Sequence, residues 1–236
     1  MCIRDRGYSD ISPYGGEIDT PNLSYLTKNG LKFTQFYNAA RCCPTRASLL
    51  TGTYPHEAGI GHMMGNYRIS QYQGKLSSNV ITIPEVLKKA GYSTIMSGKW
   101  HLTKNDLDQW PLKRGFDNFY GLISGAANYF KSEYPGLIFE GNEKLNIDDE
   151  NYYTTDAFTD KAIEYIDKVK SEDNEKPFFL YLSYNAPHWP LQAPKENIDK
   201  YRGNYMKGWE NLREERYMRM IEMGLIDSSW DLSYDD

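Results

Sequence analysis

No apolar stretch in this chain can cross a bilayer: the longest, such as Pro177 to Tyr184, is far shorter than the roughly 20 residues that a spanning helix needs. Cysteine is scarce. Cys2 and the adjacent pair Cys42 and Cys43 are all there is in 236 residues, too few for a disulfide framework, so the redox compartment stays open. Basic charge is not in excess: 27 Lys and Arg stand against 32 Asp and Glu, the formal net charge is -5, and the two signs are interspersed. That leaves no basic stripe to track a phosphate backbone, and no nucleic acid partner is expected. Repeats, low-complexity runs and composition breaks are missing too, so nothing marks an internal boundary. The start lacks the apolar core of a secretory signal, which bears on export only if Met1 is the native start.

What is present is ordinary globular material, 40% hydrophobic and 25% charged, enough to bury a sizeable core. The peptide Met1-Cys2-Ile3-Arg4-Asp5-Arg6 reads as the translation of a transposon-based sequencing adaptor. Residues 1–6 are therefore set aside as non-native, and residues 7–236 are read as one incomplete domain.

Punctuation by proline, glycine and capping residues divides the chain into alternating elements. Thr20-Pro21 opens a short helix that Gly30 closes. Leu31 to Tyr37 alternates apolar and polar residues as a strand does, so Cys42 is expected to follow a strand. With Pro44 in the first turn and Gly52 as the stop, Thr45 to Thr51 reads as a helix with Cys42 at its N-terminal mouth. Thr82 to Ala90 is a second helix, stopped by Gly91. Tyr92 to Met96 is then a strand past whose end Lys99 and His101 emerge. Thr155 to Val169 has amphipathic helical spacing, and Phe178 to Tyr184 is an apolar run of buried-strand length that ends at Asn185-Ala186-Pro187-His188. Helices alternating with buried strands predict a largely parallel α/β sheet. Ligands of such sheets bind at the carboxyl ends of strands, where Cys42, Lys99, His101 and His188 all fall.

A cysteine at a helix mouth with Arg46 one turn on would have an acidified thiol beside backbone N–H groups able to hold an anion. The local pattern fits an inert, buried cysteine pair equally well. His56 and His62, in a glycine-rich loop downstream, read as surface residues with no catalytic role, and the 20 tyrosines read as packing.

The run Cys42-Cys43-Pro44-Thr45-Arg46-Ala47-Ser48-Leu49-Leu50-Thr51-Gly52 resembles the signature of the formylglycine-dependent sulfatases: Cys-x-Pro-Ser/Thr-Arg, an apolar helix, then Thr-Gly. Further matching segments follow in order: Gly7-Tyr8-Ser9-Asp10 with Tyr14-Gly15-Gly16, Thr20-Pro21-Asn22-Leu23, Gly98-Lys99-Trp100-His101 and Ala186-Pro187-His188-Trp189-Pro190. The resemblance spans nearly all of residues 7–236, leans toward a bacterial arylsulfatase-like branch, and implies an alkaline-phosphatase-like α/β fold with a mixed, mostly parallel sheet sandwiched by helices. Residues 7–236 would then be part of a sulfatase N-terminal catalytic domain.

The resemblance further implies that Cys42 is oxidised to Cα-formylglycine by a formylglycine-generating enzyme. Register selects Cys42 over Cys43, because proline must stand two and arginine four positions later. One hydroxyl of the hydrated aldehyde attacks sulfur and the other later expels sulfate, an escape that a serine sulfate ester would lack. Arg46 would hold the hydrate, Lys99 would bridge it to the sulfate, His101 would take the proton whose loss releases sulfate, and His188 would donate to a sulfate or leaving-group oxygen. A divalent cation, Ca2+, would be bound by the modified Cys42 and by aspartates. The usual opening aspartate pair is replaced by residues 1–6, with Asp5 a coincidental stand-in, and the later metal pair and further lysine do not occur before Asp236. The expected substrate is a small-molecule or glycan sulfate ester, and the family setting is periplasmic or secreted. A phosphonate or phosphate ester hydrolase of the same superfamily, and a non-catalytic binding protein that keeps the pocket, remain alternatives.

Overall fold

A computed structural model describes residues 7–104, 106–133 and 136–233. The adaptor-like peptide, with Asp5, and the last three residues lie outside the described part. In chain order the regular elements are α1 (Pro21–Lys28), α2 (Cys42–Thr51), α3 (Ile83–Lys89), β1 (Ser93–Lys99), β2 (Asn118–Leu122), β3 (Ile138–Glu140), β4 (Glu143–Lys144), α4 (Thr154–Glu172), β5 (Phe178–Ser183), α5 (Lys195–Lys200) and α6 (Trp209–Glu222). They fall into two compact units, one of residues Asn38–Gln192 and one of residues 7–37 together with 193–233.

The Asn38–Gln192 unit is built on a five-stranded sheet in the order β4-β3-β2-β1-β5. β1 runs parallel to both β2 and β5, while β3 and β4 add an antiparallel edge. The period-2 alternation of a strand buried on both faces explains the packing. Along β1, Met96 joins a core with Ala47 and Leu50 of α2, whereas Ile95 joins another with Phe158, Tyr165 and Val169 of α4. On β2, Phe119 and Tyr120 divide in the same way. Each such side chain removed from water contributes about 1.5–3 kcal/mol. β5 closes the other edge, and five of its six residues are only half-buried, unlike the buried run its composition predicts.

Capping sets the helix limits. Pro21 opens α1, the Thr82–Glu85 capping box opens α3, and α2 ends on Gly52, whose N–H bonds to Ser48 O. β1 runs three residues beyond Met96, so Lys99 is its last residue rather than a residue past its end. The ladder can continue because position 98 is glycine, at φ +117, where a Cβ would run into the Ser183 backbone.

In the second unit, Leu31 to Tyr37 is not a strand. Leu31, Phe33, Phe36 and Tyr37 are all exposed, and among the described residues no neighbouring strand completes their ladder; alternation alone cannot satisfy the backbone. Cys42 accordingly follows a loop. Arg216 of α6 clasps Glu17 at 2.6 Å and Asp10 at 2.6 Å, joining the two sequence segments of this unit. No helix among the described residues is long and apolar enough to cross a membrane.

Candidate active site

The parallel strands deliver their carboxyl ends to one edge of the sheet, and the sequence-predicted groups collect there. Cys42 is the first residue of α2, and Arg46 lies one turn on, with both side chains buried. Arg46 Nη1 donates to Lys99 O at 2.7 Å, to Tyr181 Oη at 3.2 Å and to Ser183 Oγ. Ser183 Oγ in turn donates to Lys99 O at 3.0 Å. The guanidinium is thereby fixed against the ends of β1 and β5 as a permanent positive charge. Lys99 is fully buried, and its ammonium donates to Gly125 O in the turn after β2.

His101, two residues past β1, sits at φ +53, a left-handed conformation that non-glycine residues rarely adopt and that clusters at functional positions. Its N–H donates to Ile123 O at 3.1 Å, its Nε2 lies 3.5 Å from Cys43 Sγ, and the ring also bonds to Cys42. Its Nδ1 is buried with no partner among the described residues. Burial first, then the Lys99 and Arg46 charges, push the His101 pKa below its ordinary value of 6.5, so the imidazole is neutral near neutral pH. The Cys42 thiol is held well below its usual range by the Cys43 hydrogen bond, aided by His101 and the Lys99 charge. Cys43, burdened by its neighbour and by burial, is pushed up.

Cys42, Arg46, Lys99 and His101 therefore form one contact network, whereas His188 stands apart from it. His188 Nδ1 lies 2.6 Å from Trp189 O, and no described hydrogen bond joins it to the other four. Its loop is braced by Tyr129, whose hydroxyl donates to His188 O at 2.6 Å, and by Thr154, which donates to Asn185 Oδ1 at 3.1 Å. His56 and His62 occupy a separate loop, where His56 meets Tyr72 edge-on and His62 bonds Arg41 at 3.1 Å. Motif reading missed Ser183, Tyr181 and Gly125. The only sequence signals were a small polar residue ending an aromatic strand and a glycine following one. A cavity of about 660 Å³ in the other unit, lined by Tyr8, Trp209, Met220 and Trp230 among others, contains none of these residues.

What the fold and this network define is a class: α/β proteins with a cysteine at a helix mouth and buried basic side chains at the carboxyl edge of the sheet. The Sulfatase family profile matches residues 4–232. An uncharacterised sulfatase of Schizosaccharomyces pombe is 40% identical over 94% of this chain and 43% of its own length. The arylsulfatase of Klebsiella aerogenes is 34% identical over 94% of this chain and 49% of its own. The crystal structure of Ps i-CgsB in complex with k-i-k-neocarrahexaose superposes with a TM-score of 0.73 at 29% identity, covering 94% of this chain and 51% of that one. The chain belongs to the sulfatase family. It spans less than half the length of the two curated relatives described.

Proposed function

We propose that the protein to which this chain belongs hydrolyses sulfate monoesters at Cys42, and that residues 7–236 are part of its catalytic domain. The observation that carries the reading is the buried network at the mouth of α2, where Cys42 is surrounded by Arg46, Lys99 and His101. Conversion of Cys42 to Cα-formylglycine by a formylglycine-generating enzyme would supply a hydrated aldehyde, with one hydroxyl to attack sulfur and a second whose deprotonation releases sulfate. The surroundings fit that group. The Lys99 charge and the His101 imidazole act on Cys42 directly, with Arg46 one turn along α2.

In this reading Arg46 is a fixed charge beneath the nucleophile, immobilised by Lys99 O, Tyr181 and Ser183. Lys99 neutralises the sulfuryl oxygens as charge builds on them, a preorganised contribution that costs little reorganisation in a water-poor pocket. His101, neutral because it is buried, is poised to accept a proton on the side of Cys42. His188 is the donor to the leaving-group oxygen. Its Nδ1 donates to Trp189 O, which leaves Nε2 as the ring nitrogen for the leaving-group oxygen in this reading.

A calcium ion is the family expectation, with the oxidised Cys42 as one ligand. The described residues do not fit it by themselves: among them no three His, Cys, Asp or Glu residues gather to hold a metal, and the groups around Cys42 are cationic. We infer a carbohydrate or small aryl sulfate as substrate, supported by the carrahexaose bound in Ps i-CgsB and by the arylsulfatase relative. Parallel assays of the full-length protein on an aryl sulfate, a sulfated oligosaccharide and an aryl phosphonate test the reading. Turnover of a sulfate ester is expected to exceed that of the phosphonate; the reverse order would make it a phosphonate hydrolase, and no turnover of any would leave a binding protein.

A further inference from the structure

We propose that Gly125 is a positioning residue for this reaction, fixing Lys99 and His101 relative to each other through one turn of backbone. The inference rests on the sulfate-ester reading above for the roles of those two side chains. Gly125 meets both of them. Its carbonyl accepts the Lys99 ammonium, and a single carbonyl bond fixes the heading of an ammonium without exhausting its three donors. Its missing side chain is what admits the His101 ring: a Cβ built there would overlap Cε1 of the imidazole and stand 2.9 Å from its Nδ1.

The ring has little room to retreat. Cys43 Sγ lies 3.5 Å from its Nε2, the side chain is buried, and the backbone behind it is already held at φ +53. The turn itself is pinned, since Ser124 Oγ donates to Ala126 O at 3.0 Å and His101 N–H donates to Ile123 O at 3.1 Å. Gly125 does not occupy the left-handed region, so an alanine there adopts its backbone without strain and acts only through the added methyl. The glycine is needed for close approach to a catalytic ring, not for turn geometry.

The test is a double-mutant cycle in the full-length protein, read by sulfate-ester turnover and by thermal midpoint. Gly125→Ala is expected to lower turnover by about 100-fold, the effect of displacing a catalytic group by about an ångström, and to lower the midpoint. In a His101→Ala background, where the ring is gone, the same substitution is expected to change neither quantity appreciably. The midpoint comparison holds even if Gly125→Ala alone folds poorly, because His101→Ala/Gly125→Ala should then fold as well as His101→Ala. Wild-type activity and stability in Gly125→Ala, or equal losses in both backgrounds, would overturn the proposal. A wild-type protein that turns over no sulfate ester would instead defeat the functional reading, while the midpoints would still report on the Gly125–His101 contact.

Discussion

Cys42 and Cys43 are chemically identical and adjacent, yet their surroundings separate them. The hydrogen bond between them, with His101 and Lys99 alongside, draws the Cys42 thiol below its usual range, while Cys43, fully enclosed, is pushed above it. Motif register distinguished them because it encodes where proline and arginine fall along one helix, a local relation. The partners of Arg46 were not legible in the same way. Tyr181 and Ser183 lie 135 and 137 residues away and reach it only when β5 pairs with β1. At this scale Lys99→Ala should depress turnover by orders of magnitude, since one preorganised donor or cation at a developing oxyanion contributes about 3 kcal/mol. His56→Ala should leave turnover within the same order of magnitude, because what it loses is an edge contact with Tyr72 in a separate loop. Steady-state kinetics on both variants checks this; equal, mild effects would make Lys99 a structural lysine.

Elements were legible where their signals were local and failed where they depended on a partner. α3 opens at its Thr82 capping box, α2 closes at Gly52 and α1 opens at Pro21, because such signals act within one turn of chain, although α2 starts at Cys42, three residues before the expected Thr45. Leu31 to Tyr37 carries a strand pattern and forms none, and β1 outruns its apolar stretch because Gly98 pairs with Gly121 and Ser183. The α3 cap offers a test of the local rule. Thr82 Oγ1 accepts from Glu85 N–H at 3.4 Å and donates to Arg114 O at 2.9 Å in a buried setting. Thr82→Ala should therefore destabilise the fold by about 1–2 kcal/mol, measured as a shift in urea midpoint at unchanged m-value.

For the whole molecule, composition predicted a globular chain with a good core and no boundary, alternating helices and strands predicted an α/β sheet, and the division that appears is one composition could not show. One unit is assembled from two segments far apart in sequence, residues 7–37 and 193–233. Arg216 ties them through Glu17 and Asp10. Burial alone would raise the Glu17 pKa, but the hydrogen bond and charge of Arg216 outweigh it and hold the carboxyl below its ordinary value of 4.5. A carboxylate with a lowered folded-state pKa contributes stability that is complete above its unfolded value and is lost as pH falls through the folded one. Hydrogen exchange in α6 should accelerate as pH drops below 4.5, after correction for intrinsic rates, and Arg216→Ala should remove that acid-dependent component. The central claim concerns Cys42, and peptide mass spectrometry tests it most directly. After co-expression of the full-length protein with a formylglycine-generating enzyme, the peptide spanning Arg41 to Arg46 should carry an aldehyde at Cys42 and an intact thiol at Cys43. An aldehyde at Cys43, or two unmodified cysteines under conditions that convert a control sulfatase, would contradict the account.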